Sequence, residues 1–292
     1  MKDFSEQEEQ DGELFRVVRR RAVVGAVLVF AGVFLVQFIA YMVTMLLIPV
    51  FVQFASGKGE SPEVSGLLTD DKYRRLVSEW FSLIASMIYI LWCGSLYRRS
   101  DLRQEPDYRE VFGKRHILQI LLIGFCGCFF AIVVLTILQN IFPDFFAEYQ
   151  KNMGDFNTGS ARMFLYTLLL GPVAEELIFR GVLFDRLYLA FPFWVANLLQ
   201  AFLFGVYHGN LIQGTYAFLF GLLLGMMHQT GGSIWNNILT HILFNLTNFI
   251  VPILYGLVAV KNGNFLVTLV LLCFFGFCYG LHLLYREVTE KI

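Results

Sequence analysis

The chain has 292 residues, of which 57% are hydrophobic and only 15% charged, where an ordinary soluble domain carries about 25% charge. Its mean hydropathy of +0.62 comes from apolar runs long enough to cross a bilayer, which takes about 20 residues per helix, so a soluble globular class is excluded. A formal net charge of −1 gives no basic surface for a nucleic-acid partner.

Lipid offers no partner to a backbone amide, so each apolar run must pair its amides within itself, as a helix does. The fold class expected is therefore all-α, a polytopic membrane helix bundle of about eight transmembrane helices. Residues 1–21 read as a cytoplasmic N-terminal tail, acidic and then basic. Residues 22–292 read as a single transmembrane domain without repeats, with a catalytic core at about 161–250. The first span, Ala22–Phe54, exceeds the 7–15 apolar residues of a cleavable signal and reads as a retained anchor. Its length calls for tilt or an interfacial turn near Pro49. Glu79–Tyr97 and Ile117–Ile141 follow, then an acidic loop with Asp144, Glu148 and Asp155 against Lys151. Cys93, Cys126, Cys128, Cys273 and Cys278 lie in apolar runs without C-x-x-C spacing and read as small packing residues.

The fourth span, Ala161–Leu189, carries Gly171-Pro172 and then Glu175-Glu176-Leu-Ile-Phe-Arg180. An ionisable group inside a span costs about 2.5–3.5 kcal/mol on insertion scales, so it faces a cavity or a partner. Glu176 and Arg180 are four apart and share a helix face, which suits an ion pair. Glu175 is turned about 100° from Glu176 and is expected to face a wet cavity. The fifth span, Phe193–His208, ends in Phe204-Gly-Val-Tyr-His208, with Gly205 and Gly209 at a small-xxx-small spacing that admits a close helix. Leu211–His228 contains Gly221-Leu-Leu-Leu-Gly225, a packing motif, and His228 reads as interfacial. Ser233–Ile250 carries His241 and Asn245 on one face; they serve equally as interhelical glue or as donors to an oxyanion. The last span, Phe265–Tyr285, holds a second packing motif, Gly276-Phe-Cys-Tyr-Gly280. Arg16, Arg19, Arg20 and Arg21 before the first span, and the basic second loop, place both termini in the cytoplasm, in a cell membrane taken to be bacterial. The chain ends without a Cys box for prenylation or a KDEL-like signal.

A carboxylate and an imidazole converging on one water make a general-base pair able to attack a peptide carbonyl. No H-E-x-x-H occurs, which removes the zincin helix. Glu175, His208 and His241 could still bind a divalent metal such as zinc, because His₂Glu is a catalytic ligand set. The residues alone leave both a metal-free and a metal-activated water open.

Glu175-Glu176-x-x-x-Arg180, Phe204-x-x-x-His208 and His241-x-x-x-Asn245, in this order, resemble the three motifs of the CAAX-protease and bacteriocin-processing family, also called abortive-infection proteins, which includes the type II CAAX prenyl endopeptidases. Pro172 and Gly181 fit its first motif, and the likeness covers roughly residues 161–250. The resemblance implies an intramembrane endopeptidase in which Glu175 and His208 activate water. It further implies that His241 and Asn245 hold the oxyanion, with Glu176 and Arg180 in support. The implied substrate is a membrane-anchored or lipid-modified protein or peptide, such as a CAAX protein or a pheromone or bacteriocin precursor, met among membrane lipid. Two readings compete with it: a catalytically idle scaffold or sensor that regulates a signalling partner, and a transporter, disfavoured because repeat symmetry is missing. Counted at 1.5 Å per residue, Glu175 and His208 lie at similar depths of about 21 and 24 Å, but His241 at only about 12 Å. The seventh helix must tilt or begin deeper if the three are to meet.

Overall fold

The computed structural model describes residues 2–56, 71–100, 108–156, 160–231, 233–258 and 263–292. Among these residues the chain is helical throughout, without a strand, and forms a membrane helical bundle. Helix α1 is Lys2–Ser56 and α2 is Asp71–Arg98. Helix α3, Lys114–Ile141, contains a π-helical stretch at Leu121–Phe125. Helix α4 is Pro143–Phe156. Helix α5 spans 161–190 and is twice widened into π-helix, at Tyr166–Leu170 and Phe179–Phe184. Helices α6 (Phe193–Tyr207), α7 (Leu211–Gly231), α8 (Ile234–Val258) and α9 (Gly263–Lys291) complete the bundle.

Among the described residues, five helical stretches are long and apolar enough to cross a membrane: 12–51, 73–98, 114–141, 211–231 and 268–291. Leu35, Phe38, Leu46, Leu91, Leu272 and Phe275 are exposed on them, the side chains of a multi-pass protein that meets lipid tails rather than water. Helix α6 has 15 residues and at 1.5 Å per residue falls short of a 30 Å hydrocarbon core.

Three expectations change. The N-terminal stretch is already helical from Lys2, so it is one rod with the first span, and that rod passes through Pro49 without a turn. The acidic third loop contains α4, whose Tyr149 ring packs against Tyr216 of α7. Gly209 is no packing residue. It has φ +63° and no neighbour within 4 Å of a Cβ built there, so it ends α6 in the left-handed conformation that glycine tolerates after a helix. Arg103, one of the charges of the basic second loop, lies outside the described residues.

The close approach expected at Gly205 is present. A Cβ on Gly205 would come 2.7 Å from the carbonyl oxygen of Gly214, and the reverse contact is also 2.7 Å. The α6–α7 hairpin is thus closed backbone to backbone. Gly221 packs on Ala201, and Gly276 and Gly280 of α9 pack on Cys126 and Leu122 of α3. Around the turn from α7 to α8, Thr230, Ser233, Asn236 and Asn237 are all buried, and Lys291 Nζ donates to the Thr230 carbonyl. Helix α8 leads from there to His241, which reaches both Glu175 and Glu176.

Because a backbone oxygen cannot step aside as a side chain can, Gly205→Ala should cost about 1–3 kcal/mol. Thermal unfolding in detergent checks this as a lowered Tm.

Candidate active site

The site grows from α5. A proline at position 172 has no N–H and its ring crowds the preceding turn. The helix widens there: the Gly171 N–H donates to Tyr166 O, a five-residue step. The carbonyl of Thr167 is left without the two donors nearest to it, since one is spent on Tyr166 and the other is proline. Asn245 Nδ2 of α8 donates to it at 2.9 Å. Pro172 and Asn245 are thus linked through one orphaned carbonyl, and a buried carbonyl left unpaired is costly.

Beyond Pro172 the two glutamates part as helical geometry requires. Glu176 and Arg180 are fully buried, and Arg180 Nη1 donates to Glu176 Oε1 at 3.0 Å. Arg180 Nη2 donates to the Gly221 carbonyl of α7, and the guanidinium lies 4.6 Å from the centre of the Phe204 ring. His241 Nδ1–H donates to the same Glu176 oxygen at 2.8 Å, while its Nε2 stands 3.7 Å from Glu175 Oε2. His241 thus bridges both carboxylates.

His208 caps the end of α6. Its Nδ1–H donates to Phe204 O at 2.8 Å, which leaves Nε2 as the bare, proton-accepting nitrogen of a neutral ring. The Phe204 ring stands edge-on to His208 at 4.9 Å and to His241 at 6.1 Å, which explains an aromatic residue at this motif position. Glu175, His208, His241 and Asn245 all line one cavity of about 970 Å³; Glu176 and Arg180 lie behind its wall. The lining comes from the second half of α3, the first halves of α5 and α7, the end of α6 and the middle of α8, with Gln37 of α1, Ser82 and Ser86 of α2 and Tyr149 of α4. The cavity therefore sits toward the end of the bundle away from both termini.

The six residues singled out from the sequence converge here, but the nearest imidazole to Glu175 is that of His241, not His208. Among the described residues no group of three or more His, Cys, Asp or Glu is close enough to hold a metal ion, so Glu175, His208 and His241 as placed do not form a His₂Glu site. Sequence reasoning passed over a buried amide layer behind the site. Asn197 Nδ2 donates to Leu222 O, Gln200 Nε2 to Gly221 O and to Asn197 Oδ1, and Asn237 Nδ2 to Leu224 O. The rule that flagged Asn245, an amide inside an apolar run, applied to these equally. His228 is not merely interfacial: its Nε2 lies 3.1 Å from Asp185 Oδ1, both mostly buried, and ties α7 to α5 at the far end of the bundle.

Removing one partner from a buried ion pair strands the other charge, at a cost of about 3–5 kcal/mol. Arg180→Met should lose that much stability, and the double variant Arg180→Met, Glu176→Leu should recover a large part of it in detergent unfolding. Pro172→Ala should return the Thr167 carbonyl to the helix and release Asn245, lowering turnover far more than stability; parallel activity and unfolding measurements separate the two.

Residues 157–247 match the family model of the type II CAAX prenyl endopeptidases, Rce1-like. The chain is also similar to the protein named "Putative membrane peptidase YdiL" of Bacillus subtilis (strain 168), 29% identical over 83 residues, which are 28% of this chain and 34% of that protein. The likeness thus spans about a third of that relative's length. No solved structure matches the chain. All six site residues fall inside the matched stretch.

Proposed function

We propose that the protein is an intramembrane endopeptidase that hydrolyses a peptide bond of a membrane-associated protein or peptide, with water activated by its own side chains. The observation that carries this reading is the division of the charged cluster. Glu175, His208, His241 and Asn245 open on one cavity, while the ion pair that neutralises Glu176 is sealed behind it. A structural knot would have no need of an unsealed carboxylate.

In this reading a water between Glu175 and His208 attacks the carbonyl carbon, and its proton passes to the Glu175 carboxylate or to His208 Nε2. The negative charge that develops on the carbonyl oxygen is met by the second N–H of Asn245, whose first is held on Thr167, and by His241 as the imidazolium, whose Nε2–H adds a donor while its Nδ1–H stays on Glu176. The acquired proton then goes to the leaving nitrogen as the C–N bond breaks. With both termini cytoplasmic, in line with the arginines before the first span and in the second loop, the cavity would open toward the opposite face.

Membrane fractions from cells carrying the wild type and Glu175→Gln should differ by a small set of new peptide termini, and His208→Gln should lose the same set. Identical termini in all three would overturn the peptidase reading and leave a scaffold of the same fold. Asn245→Ala should lower kcat by about 10²–10³, as loss of one oxyanion donor does, measured on the protein in liposomes. Elemental analysis of that preparation should find no stoichiometric divalent metal.

A further inference from the structure

Among the described residues four tyrosines line the cavity: Tyr149, Tyr166, Tyr207 and Tyr216. Three of them spend their hydroxyls between helices, Tyr216 of α7 paired with Tyr149 of α4 and Tyr207 of α6 with Gln37 of α1. Tyr166 differs, and the widened turn of α5 decides its placement. It stands nine residues before Glu175, which at 100° per residue would set the two on opposite sides of a regular helix. The five-residue step from the Gly171 N–H to Tyr166 O brings both onto one cavity instead. The Tyr166 Cε2 and Cζ atoms stand 3.3 and 3.5 Å from where a Cβ on Gly171 would sit. The ring is therefore laid forward over the next turn, although long side chains on a helix ordinarily lean back toward its N-terminus. Cζ is the carbon that carries the hydroxyl. Glu175 lies one α-helical turn beyond Gly171, about 6 Å along the axis, and its own side chain leans back toward that ring. Hydroxyl and carboxylate approach each other from the two sides of Gly171, near enough to be coupled electrostatically.

Resting on the peptidase reading, we infer that Tyr166 is a further catalytic residue, whose hydroxyl holds the attacking water from the side that Glu175 and His208 leave free. A water shared by those two gives one hydrogen to the carboxylate and the other to His208 Nε2, which leaves both lone pairs of its oxygen. One lone pair must face the carbonyl carbon, and a donor on the other fixes the orientation of the attack. A carboxylate and a bare imidazole nitrogen only accept, so neither can be that donor. The Tyr166 O–H can, and it keeps its proton throughout. It donates to the water oxygen before the attack and to the same oxygen once that oxygen is bonded to carbon, while the water proton leaves to Glu175 or His208. The hydrogen bond strengthens as the oxygen gains hydroxide character, so it favours the transition state over the bound substrate. Gly171-Pro172 then has two uses: the proline widens the turn, and the glycine leaves the space in which the ring lies.

The test uses the full-length protein in liposomes, supplied with membrane proteins solubilised from cells that carry Glu175→Gln. Mass spectrometry follows the rate at which Glu175-dependent peptide termini appear, at dilute and at saturating extract. Tyr166→Phe, which removes the hydroxyl and keeps the ring, should slow them about tenfold or more, the worth of a hydrogen bond to a charged group. The loss should be equal at both concentrations, as for an interaction made only in the transition state, and Tm should not change. Tyr216→Phe, whose hydroxyl is engaged with Tyr149, should keep the wild-type rate. A wild-type rate in Tyr166→Phe, a loss confined to the dilute extract, or an equal loss in Tyr216→Phe would each overturn the inference and leave the peptidase standing. A lowered Tm in Tyr166→Phe would overturn it too, since the hydroxyl would then be structural. If the wild type yields no Glu175-dependent terminus, the peptidase reading falls, and this inference with it.

Discussion

The site depends on the shared oxygen of Glu176. Oε1 accepts from Arg180 at 3.0 Å and from His241 at 2.8 Å, and through those two partners it ties α5 to α7 and α8. A buried carboxylate is tolerable only when paired and hydrogen-bonded. The requirement to neutralise Glu176 therefore sets where Arg180 lies, and Arg180 in turn reaches the Gly221 carbonyl and the face of Phe204. His241 is pinned with its Nδ1–H spent, so only Nε2 turns to the cavity and to Glu175. One carboxylate is consumed so that the other can stand open in an apolar bundle.

Helix α7 is the passive frame of this arrangement. Its carbonyls at Gly221, Leu222 and Leu224 receive side chains from α5, α6 and α8, which locks three neighbouring helices to a single stretch of backbone. Glycine at 221 and 225 makes that reach possible, since a Cβ at 225 would collide with the Asn197 amide and one at 221 would press on Ala201. In an environment without a hydrophobic force between helices, close backbone approach and interhelical hydrogen bonds are what remain to specify the packing. The same economy appears in α5, where the irregularity forced by Pro172 becomes the acceptor that holds Asn245. π-Helical turns of this kind commonly mark functional positions in helices.

Much was legible in the residues themselves. Apolar runs of bilayer length dictate helices, because lipid leaves backbone amides no other partner, and four-residue spacing put Glu176 beside Arg180 and His241 on the face of Asn245. The rotation between adjacent helical residues was enough to send Glu175 and Glu176 in different directions. These are local consequences of a 3.6-residue turn, and they hold whatever the helices pack against.

What only the tertiary structure decided was which helix meets which and at what depth. Counting residues from the predicted ends left His241 too shallow, because a count along one helix does not fix its tilt or stagger against another. The residues that flank the α7–α8 turn are packed inside the bundle, where the Gly231 carbonyl accepts from Asn236 and the Thr230 carbonyl from Lys291. Helix α4 was missed for a related reason: its mean hydropathy is that of a loop, and its apolar face earns its place only against α7 and the cavity. The sequence by itself determined the bundle, the charged pair and the one glutamate left over. Packing between distant segments decided that His241 lies between the two glutamates and that the leftover glutamate faces a cavity, since interhelical contacts depend on side chains far apart along the chain.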